Sequence, residues 1–114
     1  MDEERKVVLL PPTDIDAEKA VLGSMLKSQD ARADAAAVLR ADDFYLKEHQ
    51  EIYNTMLDME RRGTGIDITT VYSALKQRKT ADMVGGMTYL SRLMDEAIVP
   101  SNARYYADTV CDKS

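Results

Sequence analysis

Apolar side chains recur three and four positions apart along most of the chain, the spacing that places them on one face of an α-helix. The clearest stripe lies between residues 46 and 62, at the positions His49, Ile52, Tyr53, Met56 and Met59. Arg61 and Arg62 follow in the last turn and Gly63 comes after them, as is typical of a helix C-terminus, because cations complement the helix dipole there. The pattern therefore predicts a helix over about 46–62.

Five further stripes have the same spacing, and residues that cap or stop helices separate them. The side chains of Ser28 or Asp30, of Asp67 and of Ser101 can accept the free N–H groups at helix starts. Pro100 ends the fifth helix, because the residue before a proline is pushed out of helical geometry. The stripes predict helices over about 14–26, 31–40, 68–79 and 87–97, and from 102 onward.

No stretch of alternating apolar and polar residues is long enough to predict a strand. The sequence therefore predicts an all-α fold, a compact bundle of five to six short helices. A chain of 114 residues is long enough for one domain with a core and too short for two of ordinary size. Gly23 is predicted to leave space for close packing of the first helix. Ten side chains are predicted to form the core: Leu22, Phe44, His49, Ile52, Tyr53, Met56, Val71, Leu75, Leu90 and Leu93.

The composition is that of a soluble globular protein, since 45% of the residues are hydrophobic and 31% are charged. The formal net charge of −5 would repel nucleic acid, so we expect no tight DNA binding by this chain alone. The longest apolar run, residues 7–10, is far shorter than the roughly 20 residues of a membrane span. Cys111 is the only cysteine, and we expect a small buried hydrophobe in a protein of the reducing cytoplasm.

Candidate catalytic and metal-binding residues all have a simpler structural explanation. His49 is the only histidine, but it lies on the inner face of its helix without a serine or cysteine partner in the pattern. Asp14, Asp16 and Glu18 crowd the start of the first helix, where carboxylates complement the helix dipole and no calcium-loop pattern follows. We therefore predict no catalytic, cofactor-binding or metal-binding residue.

Three weaker signals could indicate binding of phosphate or nucleic acid. Residues 76–79 form one compact basic patch, which is explained as the solvated end of the fourth helix. Gly85 and Gly86 precede a helix, but no lysine follows them, so a tight turn is sufficient. The six tyrosines lie mostly at core spacing, without the interleaved cations of a stacking platform. None of the three signals predicts a binding site.

The residues from Pro12 to Leu26 resemble the opening of the N-terminal domain of the bacterial replicative DNA helicase (DnaB) family. In that family a proline and an acidic pair precede Ala-Glu and then Ala-Val-Leu-Gly. The resemblance continues, in the family's order, over residues 12–112 without a large gap. Its further positions are Asp43, Phe44, Tyr45, His49, Ile52, Tyr53, the segments 65–67, 70–71 and 85–90, Leu75, and Ser101, Asn102, Ala103, Tyr106, Ala107 and Val110.

The sequence contains no phosphate-binding loop of the G-x-x-x-x-G-K-[ST] type, whose amides and lysine would hold ATP. The resemblance implies that ATP and Mg²⁺ bind in a motor domain that follows these residues. We therefore expect no cofactor and no catalysis here, and an ATP-dependent helicase as the full-length parent. The apolar stripe of the sixth helix is still running at Ser114, so we expect the natural protein to continue.

The resemblance also implies a division of the chain and a set of partners. Residues 1–13 would be a flexible N-terminal tail, 14–100 a globular helical head, and 101–114 the start of a helical hairpin. Family members form six-subunit rings in which paired hairpins make a collar, and primase and, in some systems, a helicase loader dock there. Single-stranded DNA would be bound through the full ring. The self-association or partner face is expected at Ser101, Asn102, Tyr105, Tyr106, Thr109 and Val110.

Two other functions fit an all-α domain of this size. A stand-alone helical adaptor or decoy could mimic the collar and capture primase or the host helicase, and a reading frame that stops near Ser114 would favour it. A helix-turn-helix protein could bind DNA through the third and fourth helices, and a steep loss of affinity with added salt would favour that.

Overall fold

The computed structural model describes residues 14–97 and 102–114, and these form six α-helices and one short 3-10 turn. The turn is Ala41–Asp43. No strand occurs in this part of the chain, so the predicted all-α fold is confirmed. The predicted tail, residues 1–13, and Ser101 lie outside the described residues. The helices are α1 (Ile15–Lys27), α2 (Gln29–Ala36), α3 (Lys47–Arg61), α4 (Ile68–Gln77), α5 (Gly86–Glu96) and α6 (Ala103–Lys113).

Side chains cap three of these helices at their starts. The Asp14 carboxylate accepts the N–H of Ala17 at 3.0 Å, which satisfies an amide that has no partner within α1. Asp67 and Thr70 form a reciprocal capping box at α4, with bonds of 2.8 and 2.9 Å. Ser28, one of the two predicted caps, begins α2 by accepting the N–H of residue 31 at 3.2 Å.

The end of α2 differs from the prediction, because the helix stops at Ala36 and not near residue 40. The N–H groups of Val38 and Leu39 both bond to the Ala35 carbonyl, which closes the last turn. Leu39 is then turned into the core, and its carbonyl accepts the Tyr53 hydroxyl at 2.7 Å. Val38 and Leu39 therefore belong to a loop, in which Leu39 is buried and Val38 is half-buried.

The core surrounds α1, which packs against α2, α3, α5 and α6. The ten side chains predicted for the core all lie there, each no more than 1% exposed. Burial of each large apolar side chain contributes roughly 1.5–3 kcal/mol, so this interior is the main source of stability.

Gly23 lies at a close approach of α1 to the end of α5. A Cβ atom at this position would overlap the Leu93 carbonyl oxygen and lie 2.7 Å from the Cβ of Ala97. Near this glycine, the Lys27 ammonium at the end of α1 donates a hydrogen bond to the Ala97 carbonyl at 2.7 Å, which also joins α1 to the end of α5. The predicted close packing at Gly23 is therefore confirmed, and its partner is α5.

The last helix, α6, packs directly on α1, α2 and the 3-10 turn. Its inner face consists of Ala103, Ala107 and Val110, each no more than 1% exposed. Residues 103–113 thus contribute to the same core as the preceding helices. The division at residue 100 stays a prediction.

Cys111 is exposed, so its predicted burial is wrong. The cause is helical phase, because one residue beyond Val110 is a rotation of about 100° away from the core. Among the described residues, no helix has the length and apolar character needed to cross a membrane.

Candidate interaction surface and a buried polar junction

His49 lies at the centre of a hydrogen-bonded junction, and its side chain is fully buried. Its Nδ1 atom lies 2.7 Å from Glu18 Oε1, and its Nε2 atom lies 2.6 Å from the Tyr89 hydroxyl. The imidazole also stacks on the Tyr89 ring, with centroids 5.9 Å apart. Both ring nitrogens therefore have partners within the fold, and the residue joins α1, α3 and α5.

Glu18 completes this junction, although its position near the start of α1 had predicted only that its carboxylate complements the helix dipole. It is 1% exposed, and its second carboxylate oxygen accepts the Tyr45 N–H at 2.6 Å. A buried carboxylate is tolerated only when its oxygens are paired, and here each oxygen has a partner. The signal was present in the sequence, because position 18 shares a helical face with Leu22 and Met25.

The geometry of the junction favours a structural role over catalysis. The polar groups of Glu18 and His49 bond to the protein itself, so none of them faces a space for a substrate. Burial raises the pKa of Tyr89, and the nearby carboxylates, with Glu48 the strongest of them, raise it further. Tyr89 therefore stays protonated and able to donate a hydrogen bond at neutral pH. We infer that the junction fixes the positions of three helices.

The predicted interaction face on α6 is only partly exposed. Asn102 and Tyr105 point outward, and Tyr105 is 68% exposed. Tyr106 and Thr109 are half-buried, and the Tyr105 and Tyr106 rings form an edge-to-face pair with centroids 5.4 Å apart. Val110 is 1% exposed and belongs to the hydrophobic core, so its predicted place on an outer face is wrong.

A groove of about 390 Å³ runs between α1 and α6 beside this face. Ala17 is buried and Ala20 half-buried at its base, where their small side chains leave space between the helices. Carboxylates outnumber ammonium groups along its edge. The residues lining the groove are Asp14, Asp16, Ala17, Lys19, Ala20, Glu96, Tyr105, Tyr106 and Thr109.

Two of the three basic residues at the end of α4, Lys76 and Arg78, have partners on the protein. Arg78 donates two hydrogen bonds to Glu51 of α3, at 2.7 and 3.3 Å, and the Lys76 ammonium lies 4.8 Å from the centre of the Tyr72 ring. Burial raises the pKa of Glu51, but hydrogen bonds from Arg78 and Thr80 outweigh it, so the pKa is lowered. The basic patch at residues 76–79 is exposed, as predicted. Its Arg78 also joins the end of α4 to α3 through Glu51.

Comparison with known proteins gives a consistent result over nearly the whole chain. The family described as the DnaB-like helicase N terminal domain matches residues 10–112. The replicative DNA helicase DnaB of Mycobacterium leprae is 42% identical over 104 residues, which are 91% of this chain and 17% of that protein. The replicative DNA helicase DnaC of Bacillus subtilis is also 42% identical, over 92% of this chain and 23% of that protein. The chain thus spans about a fifth of the length of these relatives.

A solved structure agrees with the family match. The crystal structure of the N-terminal domain of DnaB helicase from Mycobacterium tuberculosis superposes with a TM-score of 0.89 and is 42% identical. The match covers 91% of this chain and 75% of that one. Sequence and fold agree: the chain belongs to the DnaB-like helicase N-terminal domain family.

Proposed function

We propose that this chain is the N-terminal collar domain of a ring-forming replicative DNA helicase, in which it mediates ring assembly and presents docking sites for primase. The observation that carries the proposal is the family match over residues 10–112, in relatives named replicative DNA helicases of which the matched region is only 17–23%. In those relatives the matched domain is therefore one module of a larger protein.

In this proposal the domain has no catalytic role of its own. ATP and Mg²⁺ would bind in the motor domain of the full-length protein, which would be an ATP-dependent helicase with single-stranded DNA in its ring. The buried Glu18 and His49 support a structural role for this domain, since their side chains bond to the protein and join neighbouring helices. The collar would position the motors and, in some systems, contact a helicase loader.

Self-association would use the outer side of α6. Tyr105 is exposed there and Asn102 lies beside it in sequence, while Tyr106 and Thr109 form the half-buried edge of the same surface. Exposed aromatic side chains supply large contact areas at low entropic cost, which is why tyrosine is enriched in interfaces. Val110 supports this surface from beneath.

The assembly proposal is tested by sedimentation of this chain beside a longer chain that continues through the second helix of the predicted hairpin. We expect the longer chain to dimerise and the 114-residue chain to dimerise at least tenfold more weakly, because half of the paired surface is absent. Tyr105→Glu in the longer chain should make it monomeric. Tyr45→Glu is the matched control, since Tyr45 is 62% exposed on another surface. Equal association of the two variants would contradict the proposal.

Primase docking is tested by calorimetric titration of primase from the same organism. One collar domain should bind weakly, and the assembled ring more tightly than its single domain, because several weak contacts act together. Absence of binding to the ring would rule out docking. A natural reading frame that ends near Ser114, without a phosphate-binding loop, would instead favour the stand-alone adaptor.

A further inference from the structure

Helices α3 and α4 end in the same hydrogen-bonded closure but carry different residues at its left-handed position. At the end of α3, the N–H groups of Gly63 and Thr64 bond back to carbonyls of the last turn, and Gly63 has a φ of 72°. At the end of α4, the N–H groups of Lys79 and Thr80 bond back in the same pattern, and Lys79 has a φ of 64°. Among the described residues, Lys79 is the only residue other than glycine with a positive φ.

A lysine at this left-handed position makes the fold less stable than a glycine would. The Cβ atom of an L-residue crowds the backbone in the left-handed conformation, whereas glycine has no Cβ and adopts it freely. Glycine is accordingly the usual residue at this point of such a helix end, as at Gly63. Backbone strain of this kind concentrates at functional positions, so the strain points to a role for the Lys79 side chain beyond folding.

The Lys79 side chain lines an open groove of about 440 Å³ at the end of α4. The other residues that line this α4 groove are Tyr72, Lys76, Ala81 and Asp82. The Lys76 ammonium lies 4.8 Å from the centre of the Tyr72 ring, and both lysines are exposed. The α4 groove therefore combines two cations with one carboxylate, on a chain whose formal net charge is −5.

The two lysines of the α4 groove differ from the arginine between them. Arg78 donates two hydrogen bonds to Glu51, and the Thr80 hydroxyl donates to the same carboxylate at 2.8 Å. The charge of Arg78 is thus compensated on the α3 side of the helix. Within residues 14–97 and 102–114, no salt bridge involves Lys76 or Lys79. Their ammonium groups can therefore pair with carboxylates from outside the chain.

The surface of the α4 groove suits an acidic protein segment better than a nucleic acid. The Tyr72 ring and the Ala81 methyl offer an apolar contact between the cations, and the nearby Met83 is 51% exposed. Asp82 and the negative net charge would repel a phosphate backbone. The Lys76 ammonium also lies over the Tyr72 ring, where a nucleic acid base would otherwise stack.

We propose that the α4 groove binds a segment of a partner protein in which carboxylates flank an apolar side chain. The carboxylates pair with Lys76 and Lys79, and the apolar side chain packs on Tyr72 and Ala81. Lysine is kept at position 79, at a cost in stability, because its charge is needed for this contact. The interaction requires neither the outer side of α6 nor a motor domain, so it stands or falls separately from ring assembly.

Nuclear magnetic resonance titration of the ¹⁵N-labelled chain tests the proposed partner chemistry. The probe is an acetylated and amidated pentapeptide with one leucine between two pairs of glutamates. We expect saturable shifts of the Ala81 and Asp82 amide signals, and binding at least threefold weaker when glutamines replace the glutamates, because exposed ion pairs are individually weak. Equal binding of the two peptides, or no saturable shift at millimolar peptide, would overturn the proposal.

The same signals distinguish the other classes of occupant. A single-stranded oligothymidylate with the same number of negative charges should shift Ala81 and Asp82 more weakly than the peptide does. Unlabelled chain, which offers the acidic surfaces of a second copy, should also shift them more weakly. Tighter binding of the oligonucleotide would assign the α4 groove to nucleic acid, and tighter binding of the second copy would assign it to self-association. Either result would overturn the proposal.

The variant Lys79→Gly separates a binding role from a folding role. It should weaken binding of the glutamate peptide at least threefold and raise the urea concentration at the unfolding midpoint, because glycine relieves the strain. Lys79→Arg keeps the charge and the strain and should bind like the wild type. Lys47→Gln, at an exposed lysine of α3 outside the groove, is the control for net charge and should not weaken binding. Unchanged binding by Lys79→Gly, or a lower unfolding midpoint, would contradict the proposal.

Discussion

The buried junction around His49 and the groove beside Tyr105 use similar side chains for opposite purposes. Both combine carboxylates with a tyrosine at the edge of α1. At the junction Glu18 and His49 bond to one another, Glu18 also accepts the Tyr45 N–H, and His49 also bonds to the Tyr89 hydroxyl, so their polar atoms are taken up within the fold. At the groove Tyr105 is 68% exposed and carboxylates line an open space. The comparison teaches that placement on the helix, and not residue type, separates the buried scaffold from the surface proposed for interaction.

The largest expected effect is at the junction. Glu18→Ala would leave the His49 ring and the Tyr45 N–H without their shared acceptor, and each buried polar group left without a partner costs about 1–3 kcal/mol. Urea unfolding measures the change in the free energy of unfolding. Asp16→Ala is the matched control, because Asp16 is an exposed carboxylate on the same helix and should cost less than about 1 kcal/mol. Equal losses for the two would break the comparison.

A second prediction concerns the contact of α1 with α5. Gly23→Ala should destabilise the fold by about 1–3 kcal/mol, because its Cβ would overlap a backbone carbonyl and force the helices apart. Gly65→Ala is the control, since nothing lies within 4 Å of a Cβ there. Thermal or urea unfolding checks both variants. A stable Gly23→Ala variant would show that α5 can move without cost.

Alkaline pH should lower the free energy of unfolding through the buried Tyr53 and not through an exposed tyrosine such as Tyr105. Burial, with a smaller contribution from Asp43, raises the pKa of Tyr53 from 10.0 to about 12. Its contribution is therefore complete below pH 10 and is lost as the pH rises toward 12, up to about 2–3 kcal/mol. Urea unfolding between pH 9 and 11 should show this decline, and Tyr53→Phe should reduce it. Tyr105→Phe, at an exposed phenol, should leave the decline unchanged; equal pH profiles for all three proteins would contradict the assignment.

The smallest effect is expected at the α3–α4 contact. Glu51→Gln should cost up to about 1 kcal/mol, because Arg78 is partly exposed and water screens the pair. The lowered pKa of Glu51 means that its contribution is present above the ordinary carboxyl pKa of 4.5 and is lost as the pH falls through the lowered value. Urea unfolding at pH 7 and pH 3 checks this. A difference between the two proteins that is no smaller at pH 3 than at pH 7 would contradict it.

Helical periodicity was enough to predict the six helices and nine of the ten core side chains, because burial follows the 3.6-residue repeat. The tenth, Phe44, lies in a loop, and its aromatic character predicted its burial. The same repeat, applied strictly, places Glu18 inside and Cys111 outside, but residue chemistry suggested the opposite for both. The end of α2 could not be predicted, since the buried loop at Leu39 depends on a tertiary bond from Tyr53. The groove also escaped prediction, because it exists only where α1 and α6 meet.

One paired measurement tests the central claim that the interior holds the fold while the outer side of α6 performs assembly. Sedimentation and urea unfolding are recorded for the hairpin-extended chain carrying Tyr105→Glu or His49→Gln. We expect Tyr105→Glu to abolish dimerisation with an unfolding free energy, measured per monomer, within about 0.5 kcal/mol of the wild type. His49→Gln should lower that free energy and leave dimerisation of the folded protein intact. Loss of dimerisation in a folded His49→Gln protein, with Tyr105→Glu still dimeric, would contradict the account.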